Sequence, residues 1–267
     1  MNSEQQVDIT FELPISRRNF ITVAVAGLAA TAVSASPLGS LAYAPSKIKA
    51  IAFDAFPIFD PRPVFAMVSQ MFPDKGAELS EIWRTKQFEY SWLRTAGAVY
   101  KDFWRVTEEA LNFAARKVEV NLTSKGKKQL MEQYLMLNVW PDVIPALQTL
   151  RLNGIRLFFL SNMTSQMLKS SSINAKIDGY FEHVISTDRA RTYKPSPAAY
   201  QLGVDTLQLK KEEILFAAFA GWDASGAKWF GYPTFWVNRQ GAAAEELDAL
   251  PDGVGRGMDE LVAFLRK

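Results

Sequence analysis

The sequence predicts an α/β fold in which helices cover both faces of a parallel sheet. Within residues 45–60 and 139–267, short apolar segments alternate with helical patterns. The block between them, residues 61–138, has a helical pattern throughout. Alternating strands and helices are typical of parallel sheets, because each connection between parallel strands has to cross over the sheet. We therefore expect a sheet domain with a helical insertion after its first strand.

The strands are predicted from apolar segments. The first is KIKAIAF at 47–53, and the others lie at 154–160, 183–186, 214–218 and 234–237. Helical patterns separate or follow them at about 142–152, 164–174, 196–206, 223–230 and 258–266. Short continuous apolar runs are typical of strands that are buried on both faces, so helices are expected on either side of the sheet.

The insertion is predicted to contain four helices, at about 63–71, 79–95, 100–116 and 124–137. Because it follows the first strand, it lies at the carboxyl edge of the sheet, where open α/β sheets bind their ligands. A helical block at this edge would overhang the ligand site, which favours a cap domain at residues 61–138. The alternative is a subdomain that serves packing alone.

Composition excludes several classes of function. The chain has 30 Lys and Arg against 28 Asp and Glu, a net charge of +2, and no concentrated basic segment, which argues against nucleic-acid binding. It contains no cysteine, so thiol nucleophiles, cysteine-ligated metals and disulfides are excluded. A single histidine, His183, argues against a histidine-based triad or metal cluster and is expected to be structural or exposed on the surface.

Residues 1–44 have the organisation of an export signal. SRRNFI at 16–21 precedes an apolar stretch at 20–33, and Ala-Tyr-Ala at 42–44 provides a small-residue cleavage site. The paired arginines resemble the twin-arginine signal, so the export machinery that reads this signal is an expected partner. We therefore expect the mature protein to be periplasmic or secreted. The alternative is an uncleaved membrane anchor.

Polar residues follow the predicted strands where those strands end. Asp54 follows the first strand, Ser161 and Asn162 the second, and Asp223 the fourth, while Lys194 lies in the loop after the third. The carboxyl ends of parallel strands share one sheet edge, so these side chains can converge. Each alone could be a turn or helix-cap residue, but the set in this order is much more specific.

Five segments resemble the motifs of a known enzyme family. FDAFPIFD (53–60), FLSNMT (159–164), YKPSPAAY (193–200) and GWDASGAKWFGYPTFWVNR (221–239) are similar to the four motifs of the haloacid dehalogenase-like hydrolase superfamily. IWRTKQFEYSWLR (82–94) is similar to the cap of its L-2-haloacid dehalogenase branch. The resemblance implies a Rossmann-like core with a helical cap. It also implies a hydrolase whose substrate is a small halogenated carboxylic acid.

The resemblance further implies covalent catalysis by a carboxylate. Asp54 would displace halide from a 2-haloalkanoic acid, forming an ester that water then hydrolyses to the 2-hydroxy acid. Lys194 would keep Asp54 ionised, because a nearby positive charge favours a carboxylate. Asp223 would pair with Lys194 and help to place the water. Ser161 and adjacent backbone N–H groups would bind the substrate carboxylate, and Asn162 would orient the nucleophile or the halide.

Four more residues are expected, by the same resemblance, to bind the substrate or the halide. Arg84, in the cap, would hold the departing halide, because a planar guanidinium suits a large and weakly hydrated anion. Phe56, Tyr200 and Trp222 would line the site. The resemblance implies no metal ion and no other cofactor, and it makes a homodimer plausible.

The sequence departs from the usual pattern of this branch in two places. Phe56, Pro57 and Ile58 stand where the branch usually has Tyr-Gly-Thr, so a phenol, a backbone N–H and a hydroxyl are missing. Ala218 and Ala220 stand where it usually has Ser and Asn, which are thought to help place the hydrolytic water. Fewer groups than usual are therefore available to place the water that hydrolyses the ester.

These departures leave two alternatives to a dehalogenase open. One is a catalytically weak or inactive homologue that binds a small carboxylate. The other is a phosphatase or a hydrolase of another substrate. Against a phosphatase, Phe56 occupies the position where phosphatases of the superfamily have a proton-donating Asp. Only Asp223 is available in the fourth motif for Mg²⁺, which prefers several oxygen ligands.

Overall fold

The computed structural model describes residues 48–266 of the chain. The predicted export signal at residues 1–44 lies outside the described residues, so its assignment stays a prediction. Within 48–266, no helix combines the length and the apolar character that crossing a bilayer requires.

The strands of the described region include all five that the sequence predicts. In chain order they are β1 (Ala50–Phe53), β2 (Phe59–Asp60), β3 (Asn138–Val139), β4 (Arg156–Ser161), β5 (His183–Ser186), β6 (Ile214–Ala218), β7 (Thr234–Val237) and β8 (Gly253–Gly255). The sequence does not predict β2, β3 or β8. The first two have two residues each and β8 reads Gly-Val-Gly, so none has an apolar run that indicates a strand.

Each predicted helical pattern forms a helix. The helices are α1 (Arg62–Met71), α2 (Gly76–Ala96), α3 (Phe103–Lys117), α4 (Ser124–Gln133), α5 (Val143–Leu152), α6 (Ser165–Asn174), α7 (Pro197–Leu207), α8 (Gly221–Phe230) and α9 (Met258–Phe264). The side chains of Asp102, Thr123 and Thr164 accept hydrogen bonds from backbone N–H groups in the first turns of α3, α4 and α6, which explains where these helices begin.

Six strands form one parallel sheet in the order β5-β4-β1-β6-β7-β8. Both faces of this sheet are buried. Along β1, Ile51 and Phe53 belong to one hydrophobic cluster, and Ala50 and Ala52 belong to another. All four residues are fully buried. The predicted α/β fold, with a parallel sheet between two helical layers, is therefore confirmed.

The topology creates a crevice between β1 and β6. The chain runs from β1 outward to β4 and β5, then returns to β6 on the other side of β1 and continues to β7 and β8. Connections thus leave β1 and β6 in opposite directions, which opens a crevice at their carboxyl ends. Asp54 directly follows β1, and Asp223 lies in the first turn of α8, which follows β6.

Helices α1 to α4 lie in the predicted insertion between the first two strands of the main sheet. The chain enters this block through β2 and leaves it through β3, and these two strands pair antiparallel as its stem. Inside the block, Trp83 of α2 is fully buried and donates from Nε1 to the Thr107 carbonyl of α3 at 2.9 Å. The division into a core (45–60 and 139–267) and a cap (61–138) stays a prediction.

A buried arginine fastens the loop after β1 to the segment that follows the stem. The Arg239 side chain is 8% exposed and donates to the Asp142 carboxylate at 3.0 and 2.9 Å. It also donates to the Pro57 carbonyl at 3.3 and 2.8 Å. Its guanidinium lies 4.7 Å from the ring centroid of Trp140, whose Nε1 donates to two carbonyls of the same loop at 3.0 Å each. These contacts fix the backbone next to Asp54.

We expect Arg239→Met to lower the free energy of unfolding by roughly 3 kcal/mol, because the Asp142 carboxylate loses its cation and keeps only the Met258 N–H, and the Pro57 carbonyl loses its guanidinium donor. Chemical denaturation measures this loss. Arg105→Met is the matched control, since Arg105 is an exposed helix residue paired with neighbouring glutamates. It should cost less than about 1 kcal/mol. Equal losses in the two variants would contradict the role of Arg239.

Candidate active site

The carboxylate of Asp54 has two unequal oxygens. Oδ1 accepts hydrogen bonds from Lys194 Nζ at 2.9 Å and from the Ser161 hydroxyl at 3.1 Å. Among the described residues, Oδ2 accepts one longer bond, from the Phe56 N–H at 3.3 Å. Oδ1 is therefore held by a cation and a hydroxyl, while Oδ2 keeps more of its lone-pair density free for a reaction.

Lys194 lies between two buried carboxylates. Its side chain is 1% exposed, and Nζ donates to Asp54 Oδ1 at 2.9 Å and to Asp223 Oδ2 at 2.5 Å. Burial lowers the pKa of the Lys194 ammonium, but the carboxylates of Asp223 and Asp54 outweigh burial and hold this pKa above its ordinary value. The lysine is therefore charged, as the sequence-based expectation requires.

Asp223 is bonded on both oxygens. Oδ2 accepts from Lys194, and Oδ1 accepts from the Tyr200 hydroxyl at 2.7 Å. Burial raises the pKa of Asp223 to about 6, against the opposing effect of the Lys194 ammonium. Burial and the Asp223 carboxylate hold the pKa of Tyr200 well above its usual range, so the phenol keeps its proton and donates. Near neutral pH, Asp223 can accept and return a proton.

Ser161 ends β4, and Asn162 follows it. The Ser161 hydroxyl donates to Asp54 and accepts from the backbone N–H two residues later at 3.3 Å, which fixes its direction. Asn162 Oδ1 accepts from the Lys194 N–H at 3.0 Å and from the Thr187 hydroxyl at 3.3 Å. Because its oxygen is used in these bonds, the Nδ2 amide group is the end of Asn162 available to a ligand.

The insertion holds the loop that carries Lys194. The preceding residue, Tyr193, donates from its backbone N–H to the Thr95 hydroxyl of α2 at 3.2 Å. Its phenol donates to the carbonyl of Lys101, in the turn between α2 and α3, at 2.5 Å. The position of Lys194 thus depends on the packing of α2 as well as on the sheet.

A cavity of about 20 Å³ lies beside the nucleophile. Its polar side is formed by Asp54, Ser161, Asn162 and Asp223, and its aromatic walls by Phe56, Phe88, Phe103, Phe219 and Trp222. Six of the nine predicted site residues are therefore brought together here. The sequence analysis did not single out Phe88, Phe103 or Phe219. Phe219 lies at the end of β6 beside the fourth motif, a position that could have indicated it.

Three predicted site residues lie outside the lining of this cavity. Lys194 and Tyr200 contact the lining carboxylates from behind, so Tyr200 acts through Asp223 instead of lining the site as predicted. Arg84 is exposed on α2, with its guanidinium 5.4 Å from the ring centroid of Phe65. The structure therefore does not bring Arg84 to the cavity.

The two carboxylates do not fit a divalent cation. Lys194 Nζ lies between Asp54 and Asp223, so the ammonium occupies the position from which a metal ion would meet both oxygens. In the part of the chain that the structure describes, no group of three or more His, Asp or Glu side chains is arranged to hold a metal. Asp54, Lys194 and Asp223 instead form a buried ion triad.

A larger cavity of about 1270 Å³ lies at the opposite edge of the sheet. It is lined by residues at the amino ends of the strands, among them Lys49, Arg156 and Pro233. None of the nine predicted site residues lines it. The smaller cavity beside Asp54 is therefore the candidate active site.

We expect Tyr200→Phe to raise the pKa of Asp223 above about 6, because the carboxylate loses a hydroxyl that favours its charged form. Carbon NMR of the Asp223 carboxyl group, assigned with Asp223→Asn, measures this pKa. Tyr232→Phe is the matched control, since the Tyr232 hydroxyl donates to the Tyr200 carbonyl and to neither carboxylate. The control should leave the pKa of Asp223 near 6. An unchanged pKa in Tyr200→Phe would contradict the assignment.

The sequence of this chain is similar to those of characterised dehalogenases. Residues 48–231 match the model of the haloacid dehalogenase-like hydrolase family. Haloacetate dehalogenase H-2 of Moraxella sp. (strain B) is 40% identical over 220 residues, which cover 82% of this chain and 98% of the relative. (S)-2-haloacid dehalogenase 2 of Pseudomonas sp. (strain CBS-3) is 38% identical over 220 residues, which cover 82% of this chain and 96% of that relative.

The structure is similar to those of solved L-2-haloacid dehalogenases. One of them matches with a TM-score of 0.82 and 39% identity, and the match covers 83% of this chain and 100% of the other chain. Another, from Xanthobacter autotrophicus with chloropropionic acid covalently bound, matches with a TM-score of 0.77 and 30% identity. The match covers 82% of this chain and 98% of the Xanthobacter chain. The family match covers more than half of the chain, and the site shows a buried carboxylate held by a lysine and a serine. This chain therefore belongs to the haloacid dehalogenase-like hydrolase family.

Proposed function

We propose that the protein is a hydrolase that removes halide from short 2-haloalkanoic acids and releases the 2-hydroxy acids. The observation that carries this proposal is the unequal bonding of the Asp54 carboxylate, with Oδ1 held by Lys194 and Ser161 and Oδ2 left to react. Halide leaves as a stable anion and needs no proton donor. Relatives named as (S)-2-haloacid dehalogenases support the substrate class.

In the first step, Asp54 Oδ2 attacks the carbon that carries the halogen, from the side opposite the halogen. A bond from Oδ2 to carbon forms, the carbon–halogen bond breaks, and the halide departs with the bonding electron pair. The configuration at carbon is inverted. The aromatic walls exclude water, which keeps the carboxylate reactive. The products of this step are an ester on Asp54 and free halide.

In the second step, water attacks the carboxyl carbon of Asp54. Negative charge develops on Oδ1, which already accepts from Lys194 Nζ and the Ser161 hydroxyl, so these two groups act as an oxyanion hole. The bond between the carboxyl carbon and Oδ2 then breaks, and Oδ2 leaves as the hydroxyl oxygen of the product. Asp223 takes a proton from the water and returns it to the departing oxygen.

The departing halide is assigned to Asn162 and Arg84. Asn162 lines the cavity and has a free amide donor. Arg84 lies on α2 one turn before Phe88, which lines the cavity, so residues 84 and 88 share a helix face. The proposed role of Arg84 requires its exposed side chain, which lies over Phe65 in this structure, to rotate toward the cavity.

One observation favours the second candidate, a slow or inactive homologue that binds a small carboxylate. Ala220 lines the cavity with only a methyl group, and the side chain of Ala218 is fully buried and equally apolar. The hydrolytic water is therefore placed by fewer hydrogen bonds, and the loss of one positioned hydrogen bond typically costs about 10² to 10³ in rate. In this candidate the ester on Asp54 forms and persists.

The purified protein should release chloride from L-2-chloropropionate or chloroacetate. Asp54→Asn should lower the rate of release more than about 10³-fold, because it removes the nucleophile. Asp178→Asn is the matched control, since Asp178 is exposed and remote from the cavity lining, and it should keep the wild-type rate.

Chloride release by Asp54→Asn at the wild-type rate would contradict the proposal. Release of a single equivalent of chloride, with the mass of an ester retained on Asp54, would favour the slow homologue instead. Mass spectrometry of the intact protein separates these outcomes.

We also propose that the protein is exported by the twin-arginine machinery and acts in the periplasm or outside the cell. The support lies in the sequence, where Arg17 and Arg18 precede an apolar segment and a small-residue cleavage site. Because this machinery transports folded proteins, the ion triad would form before export.

Changing Arg17 and Arg18 together to lysine should block export, because the signal is read through its arginine pair. Fractionation of cells that express the full chain measures this. The wild-type protein should appear outside the cytoplasm at the mass of a chain that begins near residue 45, and the variant should stay inside at full length. Equal export of both would contradict the twin-arginine assignment.

We further propose that two copies of the chain pair as a homodimer. Three large apolar side chains at and after the end of α2 are exposed, namely Trp92, Leu93 and Val99. Neighbouring exposed apolar groups are typical of protein contacts. This patch is the candidate surface for that pairing.

A further inference from the structure

The cavity beside Asp54 is very small for a substrate site. Its volume of about 20 Å³ is close to the room that one water molecule needs, about 10–15 Å³. Even a two-carbon acid therefore requires one wall to move. Which wall can move decides which substituents on the reacting carbon are tolerated.

The walls of the cavity belong to two parts of the chain. Phe88 and Phe103 lie on α2 and α3 of the insertion, and Phe56 and Phe219 lie on loops at the carboxyl edge of the sheet. Phe88 packs edge-on against Trp222, with ring centroids 5.5 Å apart, and this contact joins the insertion to the first turn of α8. The insertion meets the core through ring contacts of this kind and through hydrogen bonds that include those of Tyr193 to Thr95 and to the Lys101 carbonyl. Of these, the ring contact beside the cavity can separate when a ligand enters.

The backbone that carries the Phe219 wall is fixed. Its carbonyl accepts a hydrogen bond from Trp236 Nε1 of β7 at 2.9 Å, which holds its backbone against the sheet. Its ring lies 5.8 Å from that of Phe56, whose own carbonyl accepts from Trp140. The preceding residue, Ala218, is fully buried in the sheet. The backbones of Phe219 and Phe56 are therefore fixed, and their rings pack against each other as the inner wall of the cavity.

We propose that Phe219 restricts the substrate to two-carbon 2-haloacids, the haloacetates, and disfavours acids with an alkyl group on the reacting carbon. This inference rests on the proposed dehalogenase function and names its substrate class. Opening on the insertion side makes room for the halogen and the carboxylate. An added methyl group meets the inner wall, and a misfit of one carbon in an apolar pocket changes selectivity about 10- to 200-fold.

The test compares kcat/KM, from chloride release, for chloroacetate and L-2-chloropropionate. The wild-type protein should prefer chloroacetate at least about 10-fold. Phe219→Ala should reduce this preference to less than about 3-fold, mainly by raising kcat/KM for chloropropionate, since the methyl group then has space. Phe219→Leu should give an intermediate preference and serves as the second variant if the alanine form folds poorly.

Phe113→Ala is the matched control, because Phe113 of α3 packs against Tyr90 of α2 and does not line the cavity. It should keep the wild-type preference. Equal use of both substrates by the wild-type protein, or a preference unchanged in both Phe219 variants, would overturn the role of Phe219. Absence of chloride release from both substrates would overturn the dehalogenase function itself, and with it this inference.

Discussion

The ammonium of Lys194, buried between the carboxylates of Asp54 and Asp223, is the interaction on which the site depends. Both carboxylates are buried at the crevice, and burying a charge without a partner is costly. Removing one member of such a buried ion group typically costs about 3–5 kcal/mol. The same contact places a cation between the two carboxylates.

The hydrogen bonds that hold Asp54 serve both halves of the proposed reaction. Lys194 and Ser161 direct the attack to Oδ2 by occupying Oδ1, and they then stabilise the charge that develops on Oδ1 when water attacks the ester. Ala218 and Ala220 carry no hydroxyl or amide group, so the water that hydrolyses the ester is held less firmly. The groups that activate the ester carbonyl of Asp54 are still present. Arg239 donates to the Pro57 carbonyl and so fixes the loop that follows Asp54.

The sequence predicted the parts of the site that topology dictates. Asp54, Ser161 and Asp223 lie at or just beyond the carboxyl ends of strands of one parallel sheet, so their convergence follows from the order of the strands. The direction of Arg84 was not predictable, because it depends on the rotation and packing of α2. The two-residue strands of the stem were missed since two residues carry no periodicity. The inner position of Tyr200, behind Asp223, depends on how α7 packs against α8.

A single turnover in water labelled with heavy oxygen tests the central claim most directly. With enzyme in excess over chloroacetate, the account predicts that the label enters the carboxyl group of Asp54, because water attacks its carbonyl carbon. The glycolate released in this first turnover should carry no label in its hydroxyl group. Mass spectrometry measures the label in the peptide that contains Asp54 and the label in the released glycolate. Label in the hydroxyl group of the product, with none in Asp54, would contradict the account.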